Sequence, residues 1–352
     1  MSKAYFGAVG NGETVALVGP DLAVAWWCVP RPDSFPIFAS ALDPRRGGSL
    51  RLHFRIGESH LKVTDASVQR YIDRTNILGT SVLLDDLSVS VLDYMPWGRR
   101  YLVRQITLTN LGETREGVRV DFSVSPTRSE SAPADLEEQL CVEFKGPNAA
   151  LLGPGESVTT VLIAAYGESP AEAFDTWSQA EPDALEAEEQ FWADWLGKAR
   201  PVSSGDGSLD EAYYRSLLAL KLLCNEKTGA ILAAPTASFP AIPGGGDNWD
   251  YRYAWLRDGY FISRCLDAAG LHTESRRFYD FALKCQAEDG RFYQTLYTVD
   301  GGNPKEFVVS DMAGPGGEKP IRFGNAASDQ LQIDSEPNII HGLFCHWLAT
   351  GD

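Results

Sequence analysis

The sequence predicts a multi-domain β plus α protein: an antiparallel β-sandwich at the front, a helical connector, and a mainly helical second half. Three observations predict it. Apolar and polar residues alternate up to about Tyr166, as strands with one buried face require. Around Ser169–Trp195 the pattern turns to Ala, Glu and Trp in helical runs. Beyond that, longer apolar segments are joined by Gly-rich or aromatic loops. The chain has 352 residues, room for about two domains on a prior of roughly 150 residues each.

The elements follow in order. Leu50, Leu52, Phe54 and Ile56 alternate with Arg51, His53 and Arg55, and the same alternation returns in Leu87–Val91, Ile106–Thr109 and Val118–Val124. An apolar run, Val158–Ala165, closes the region, and turn residues such as Asn110-Leu-Gly112 punctuate it. Many short strands at this spacing favour a sandwich over a parallel sheet. Ala184–Leu196 reads as a solvated helix and Pro201–Ser208 as a linker. Four helical candidates follow: Leu209–Asn225, Tyr251–Ala269, Thr273–Ala287 and Ala326–Leu348. The division is therefore 1–168 for the β domain, 169–208 for the connector and linker, and 209–352 for the helical part.

Composition excludes several functions. With 31 Lys+Arg against 48 Asp+Glu, the formal charge is −17, which disfavours nucleic acid and anionic membrane surfaces alike. A hydrophobic fraction of 44% with 22% charged residues is that of a folded domain rather than a disordered one. No stretch approaches the ~20 apolar residues of a membrane span, and the N-terminus has no apolar signal core, so a cytoplasmic protein is expected. Cys28, Cys141, Cys224, Cys265, Cys285 and Cys345 are scattered without metal-ligand spacing and read as reduced residues. His341 and His346 stand five apart, on different faces of one helix, so no metal site is expected from them. Gly7–Gly12 lacks dinucleotide-binding spacing, no phosphate loop occurs, and Gly314-Pro-Gly-Gly317 reads as a turn. No cofactor is implied.

The chemistry concentrates in Gly244–Gly259. From Asp247 to Asp258 this stretch holds three Asp, two Arg, two Trp and two Tyr, entering a helix from a glycine loop. A plain core helix would show an apolar stripe and one polar face. Flat aromatic rings pack on the C–H face of a sugar, while Arg and Asp form bidentate hydrogen bonds to vicinal hydroxyls. One reading is thus a polyol site; the other is a buried Arg–Asp network that locks the helix N-terminus.

Asn248-Trp-Asp-Tyr-Arg-Tyr-Ala-Trp-Leu-Arg-Asp258 resembles the signature of the bacterial and archaeal glucoamylase and trehalase-like proteins of glycoside hydrolase family 15. Similar blocks flank it: Gly229–Pro240 before and Arg322–Ile333 after. At the front, Ala16–Gly19, Trp27–Ser34, Gln69–Tyr71, Thr75–Leu78 and Asp93–Pro96 resemble the family's N-terminal β domain. The resemblance implies a super-β-sandwich followed by an (α/α)6 barrel, here partial, whose loops hold a terminal glucosyl unit. It implies that Arg257 and Asp258 bind hydroxyls of that glucose and that Trp255 shapes its subsite, with Trp249, Asp250 and Tyr253 as further pocket-lining candidates. Asp247 stands where many relatives carry Arg, and Pro32 where many carry Phe.

The implied reaction is hydrolysis, with inversion, of a terminal α-linked glucosyl residue of an α-glucan, isomalto-oligosaccharide or trehalose. Two carboxylates roughly 6.5–9.5 Å apart perform it, one as acid and one as base. In relatives both are glutamates, the acid in a Trp-Glu motif, and no Trp-Glu dipeptide occurs here. Both are expected beyond Asp352. Glu306 and Glu336 lie near matched blocks but read as solvent-facing or capping carboxylates. A barrel of this kind cannot close on four helical segments, so apolar surface on the last helices should be uncovered. Three accounts stand: a shortened form of a longer enzyme, one half of a split enzyme or self-associating chain, or a non-catalytic sugar-binding or protein-interaction module.

Overall fold

The computed structural model describes residues 5–63, 67–237, 245–246 and 248–351. The front half is two antiparallel sheets. In one, the strands run in the order Gly7–Gly10, Val15–Val18, Val24–Cys28, Ser49–Ile56, Glu116–Ser125, Ala149–Leu152, with Pro36–Phe38 and Ser59–Leu61 attached at the side. In the other the order is Leu140–Phe144, Ser157–Tyr166, Tyr101–Asn110, Leu87–Tyr94, Leu78–Leu84, Val68–Tyr71. The alternating residues do what their period requires. Leu50, Leu52 and Phe54 turn inward to meet Val89, Val91, Ile106 and Val120, while Arg51, His53 and Arg55 face solvent. Within this apolar core Arg104 and Asp93 form a fully buried ion pair at 2.6 Å, and Arg104 also donates to the Leu22 carbonyl at 2.7 Å. Burial pushes the Asp93 carboxyl up and Arg104 opposes the shift.

Helices α1 (Pro170–Gln179) and α2 (Leu185–Leu196) form the connector. Ser169 caps α1 by accepting from the Glu172 amide, with Pro170 at the first position, where its missing N–H costs nothing. Trp192 and Trp195 of α2 are buried against the helical part and Trp97 of the β domain. Glu188 sits beneath them, accepting from the Trp97 amide at 2.9 Å and the Trp192 indole at 2.7 Å; burial raises its pKa to about 7.

The helical part comprises α3 (Gly207–Leu223), α4 (Leu256–Ala268), α5 (His272–Cys285) and α6 (Ser335–Thr350). Two of these are shorter than the sequence pattern suggests. Residues 251–255 are extended: the Tyr251 and Tyr253 carbonyls accept from Ala234 and Ala233, and Ala254–Trp255 pairs with Leu296–Tyr297. The last candidate splits into a 3-10 turn, Ala326–Asp329, and α6, because Pro337 fits only the first turn of a helix. The domains are docked through Arg215, which donates to the Thr75 carbonyl and lies over the Tyr71 ring, and through Asn76, which donates to Leu218 in α3.

Candidate functional site

The structure separates the aromatic and charged motif into two parts with different tasks. The first part is architectural. Arg252 is 1% exposed and forks onto Asp250, its Nε to Oδ1 at 2.9 Å and its Nη2 to Oδ2 at 2.6 Å. Its third nitrogen crosses to the β domain, donating to the carbonyls of Ser34 at 2.5 Å and Pro32 at 3.3 Å, and meeting the Cys28 sulfur at 3.2 Å. Asp250 Oδ2 also accepts from the Tyr253 hydroxyl and the Gly324 amide, and Asn325 donates to the Asp250 carbonyl. Trp26 and Phe323 lie beneath the guanidinium. One buried fork thus ties three distant stretches together: Cys28–Ser34, the motif, and Phe323–Asn325. The effects on neighbours follow from burial, which pushes the Cys28 thiol up to about 11 despite Arg252, and raises the Tyr253 hydroxyl.

This corrects two of the pocket-lining expectations. Asp250 is 0% exposed and Tyr253 4%, and both spend their polar atoms inside the clasp, so neither lines an accessible pocket. They carry the alternative reading, a buried Arg–Asp network. Trp249 does reach the surface, with Arg322 standing over its ring at 4.8 Å. Asp247 and Pro240 lie outside the described residues.

The second part is a partly open cluster at the N-terminus of α4. Trp255, held by its short strand pairing and only 7% exposed, precedes the helix as the floor of the cluster; Arg257 and Asp258 occupy the first turn, their side chains 41% and 39% exposed. Arg257 Nη1 donates to Gln332 Oε1 at 2.9 Å and Asp334 Oδ2 at 3.2 Å, and its Nε stands 3.9 Å from Asp258 Oδ2. The Trp255 indole donates to the same Gln332 oxygen at 3.4 Å, and the Tyr251 ring lies 6.0 Å from that of Trp255. Burial raises the Asp258 pKa and Arg257 opposes this. The cluster can therefore grip vicinal hydroxyls with a fork of donors, two carboxylates, an amide and an aromatic wall. Gln332 and Asp334 were not singled out by the sequence; Gln332 stands inside the matched block Arg322–Ile333, which was the only signal for it.

Glu306 pairs with Arg322 at 3.5 Å and accepts from the Ala326 amide, while Glu336 in the first turn of α6 accepts from the Phe292 amide at 3.1 Å. Both are tied into local structure. A cleft of about 640 Å³ lies elsewhere, at the domain junction between Ile72–Thr75, α2 and Tyr214.

Residues 207–345 match the model of glycosyl hydrolases family 15, and residues 5–160 match that of the trehalase-like N-terminal domain. The second half of the chain is thus similar to glycosyl hydrolases family 15, and its front to the trehalase-like N-terminal domain. A trehalase of Thermoplasma volcanium is 29% identical over 99% of this chain and 57% of its own length, and a trehalase of Mycolicibacterium smegmatis 29% over 97% and 57%. The chain spans about three fifths of the length of those relatives. In fold it is similar to a crystal structure of a bacterial glucoamylase complexed with acarbose, at TM-score 0.54 and 13% identity, covering 84% of this chain and 52% of that one. The shared architecture is an N-terminal β-sheet domain joined to helices of a barrel enzyme. No helix among the described residues is long and apolar enough to cross a membrane.

Proposed function

We propose that this chain supplies the glucose-gripping half of an inverting glycosidase acting on the terminal glucosyl residue of an α-glucoside, with trehalose, isomalto-oligosaccharides and α-glucans as the candidate substrates. The observation that carries this is the Arg257–Asp258 pair at the start of α4, facing Gln332 and Asp334 beside Trp255. Names of the curated relatives add trehalose to the reading. Arg257 and Asp258 bind hydroxyls and orient the ring. The general acid and base come from polypeptide other than residues 1–352, since Glu306 and Glu336 are already committed to structural bonds.

In this reading residues 1–168 form a super-β-sandwich, 169–208 the connector, and 209–352 part of an (α/α)6 barrel. The exposed face of α6 fits that arrangement: Ile340, Phe344, Trp347 and Leu348 are all more than half exposed, and Phe344 stacks on Trp347. A complementary helical polypeptide or a second copy covers it. Six free cysteines are in keeping with a reducing cytoplasmic setting. The test is hydrolysis of trehalose, isomaltose and maltose by the chain joined to the complementary polypeptide. Glucose release abolished by Asp258→Ala and Arg257→Ala is expected; unchanged release in either variant refutes the assignment.

A second reading rests on the same bonds of Glu306 and Glu336. With Glu306 and Glu336 held in these bonds the chain works as a sugar-binding module, and saturable binding without turnover distinguishes it.

A further inference from the structure

Sequence spacing compares histidines along one helix and so pairs His341 with His346. The fold instead brings His346, near the end of α6, to His272 at the start of α5 and Asp267 in the last turn of α4. His272 Nδ1 and His346 Nδ1 each lie 2.9 Å from Asp267 Oδ1, and His346 Nδ1 lies 3.1 Å from Oδ2. One ligand atom from each of the three residues falls within 4.8 Å of the others. The Asp267 side chain is 1% exposed and His346 7%, whereas His272 is 31% exposed and opens the cluster to solvent on one side. The Tyr279 ring, 5.7 Å from that of His346, fixes the buried imidazole.

We propose that Asp267, His272 and His346 form a binding site for a divalent first-row transition ion, Zn²⁺ being the best fit, which pins α4, α5 and α6 together. Two arguments carry it. Ligands ~2.05 Å from one ion stand ~2.9 Å apart at right angles in an octahedron and ~3.4 Å apart in a tetrahedron, so the two 2.9 Å His–Asp hydrogen bonds already have the spacing of neighbouring octahedral ligands, and an ion would take the place of their protons. A carboxylate removed from water is also costly unless a positive charge meets it, and a divalent ion supplies that charge to the buried Asp267. Imidazole and carboxylate together select Zn²⁺, Co²⁺ or Ni²⁺ over Mg²⁺ and Ca²⁺. Water entering beside His272 completes the coordination.

The site is structural. Asp267 stands nine residues after Asp258 on α4, a rise of about 14 Å, so the ion sits toward the far end of the helix from the sugar cluster. It holds at their junction the helices that present Arg257 and Asp334. The inference rests on this geometry alone and stands whether or not the chain binds sugar.

The test is a calorimetric titration of the EDTA-stripped 352-residue chain with ZnCl₂, with thermal unfolding followed in parallel. We expect one equivalent bound, a melting temperature raised by Zn²⁺ and not by Mg²⁺, and affinity weakened at least ~100-fold in His272→Ala and His346→Gln. His272 is partly exposed, so its variant stays folded, which circular dichroism verifies. The double variant His341→Ala/Cys345→Ser controls for the separate thiol–imidazole pair on α6, 3.6 Å apart, and should bind as the parent does. No binding at about 1 mM Zn²⁺, roughly −4 kcal/mol of binding free energy, unchanged affinity in His272→Ala, or loss only in the control variant each overturns the proposal.

Discussion

Replacing Arg252 by Ala removes five polar contacts at once: two to Asp250, two to the carbonyls of Pro32 and Ser34, and one to the Cys28 sulfur. What matters most is what remains. Asp250, 0% exposed, keeps the Tyr253 hydroxyl and the Gly324 amide but loses its only ion-pair partner among the described residues. Breaking a buried pair from one side costs about 3–5 kcal/mol, because the uncompensated charge stays in a dry site. Arg252→Lys should cost nearly as much, since a single ammonium cannot serve the carboxylate fork and the cross-domain carbonyls together. The double variant Arg252→Ala/Asp250→Ala, which removes both charges, should recover part of the loss, with a coupling of about 1–3 kcal/mol. Urea unfolding followed by tryptophan fluorescence reads these differences, Trp26 lying under the guanidinium. A loss below about 1 kcal/mol in Arg252→Ala, or strict additivity in the double variant, would show that this fork is not what locks the domains.

Three further outcomes are expected. Glu188, raised from 4.5 to about 7 by burial, favours its neutral form in the folded chain; its stabilisation is full below pH 4.5 and is lost as pH rises through 7, about 3 kcal/mol in all. The stability difference between the parent and Glu188→Gln should change by that amount between pH 4.5 and 8 (a window spanning roughly both pKa values), and parallel curves would contradict it. Phe344→Glu with Trp347→Glu should abolish self-association or capture of the complementary polypeptide while leaving the far-UV spectrum intact, because both rings are 54% exposed; sedimentation velocity checks it, and an unchanged assembly state would place the interface elsewhere. Removal of Zn²⁺ by EDTA should lower the melting temperature of the parent and not of His272→Ala.

The β domain was legible because a strand's period of two leaves its mark from Leu50 to Arg55 and again from Leu87 to Asp93. The motif was legible as a concentration of chemistry, but its internal division was not. Asp250 and Arg252 look like sugar ligands in sequence, and only the Ser34 carbonyl, 218 residues earlier, reveals them as a clasp. Gln332 and Asp334 stand 75 and 77 residues from Arg257, beyond any local pattern. The Asp267–His272–His346 cluster was missed for the same reason: spacing along one helix says nothing of three helices meeting. Helix starts moved where backbone hydrogen bonds or Pro337 overrode apolar periodicity, at Leu256 and Ser335.

The central claim is that Trp255, Arg257 and Asp258 form the grip on a terminal glucosyl unit. Calorimetric titration of the chain with glucose, isomaltose and trehalose, repeated in Arg257→Ala and Asp258→Ala, tests it most directly. The account predicts saturable binding of at least one of these sugars by the parent chain and its loss in both variants. Binding that survives either substitution unchanged would contradict it.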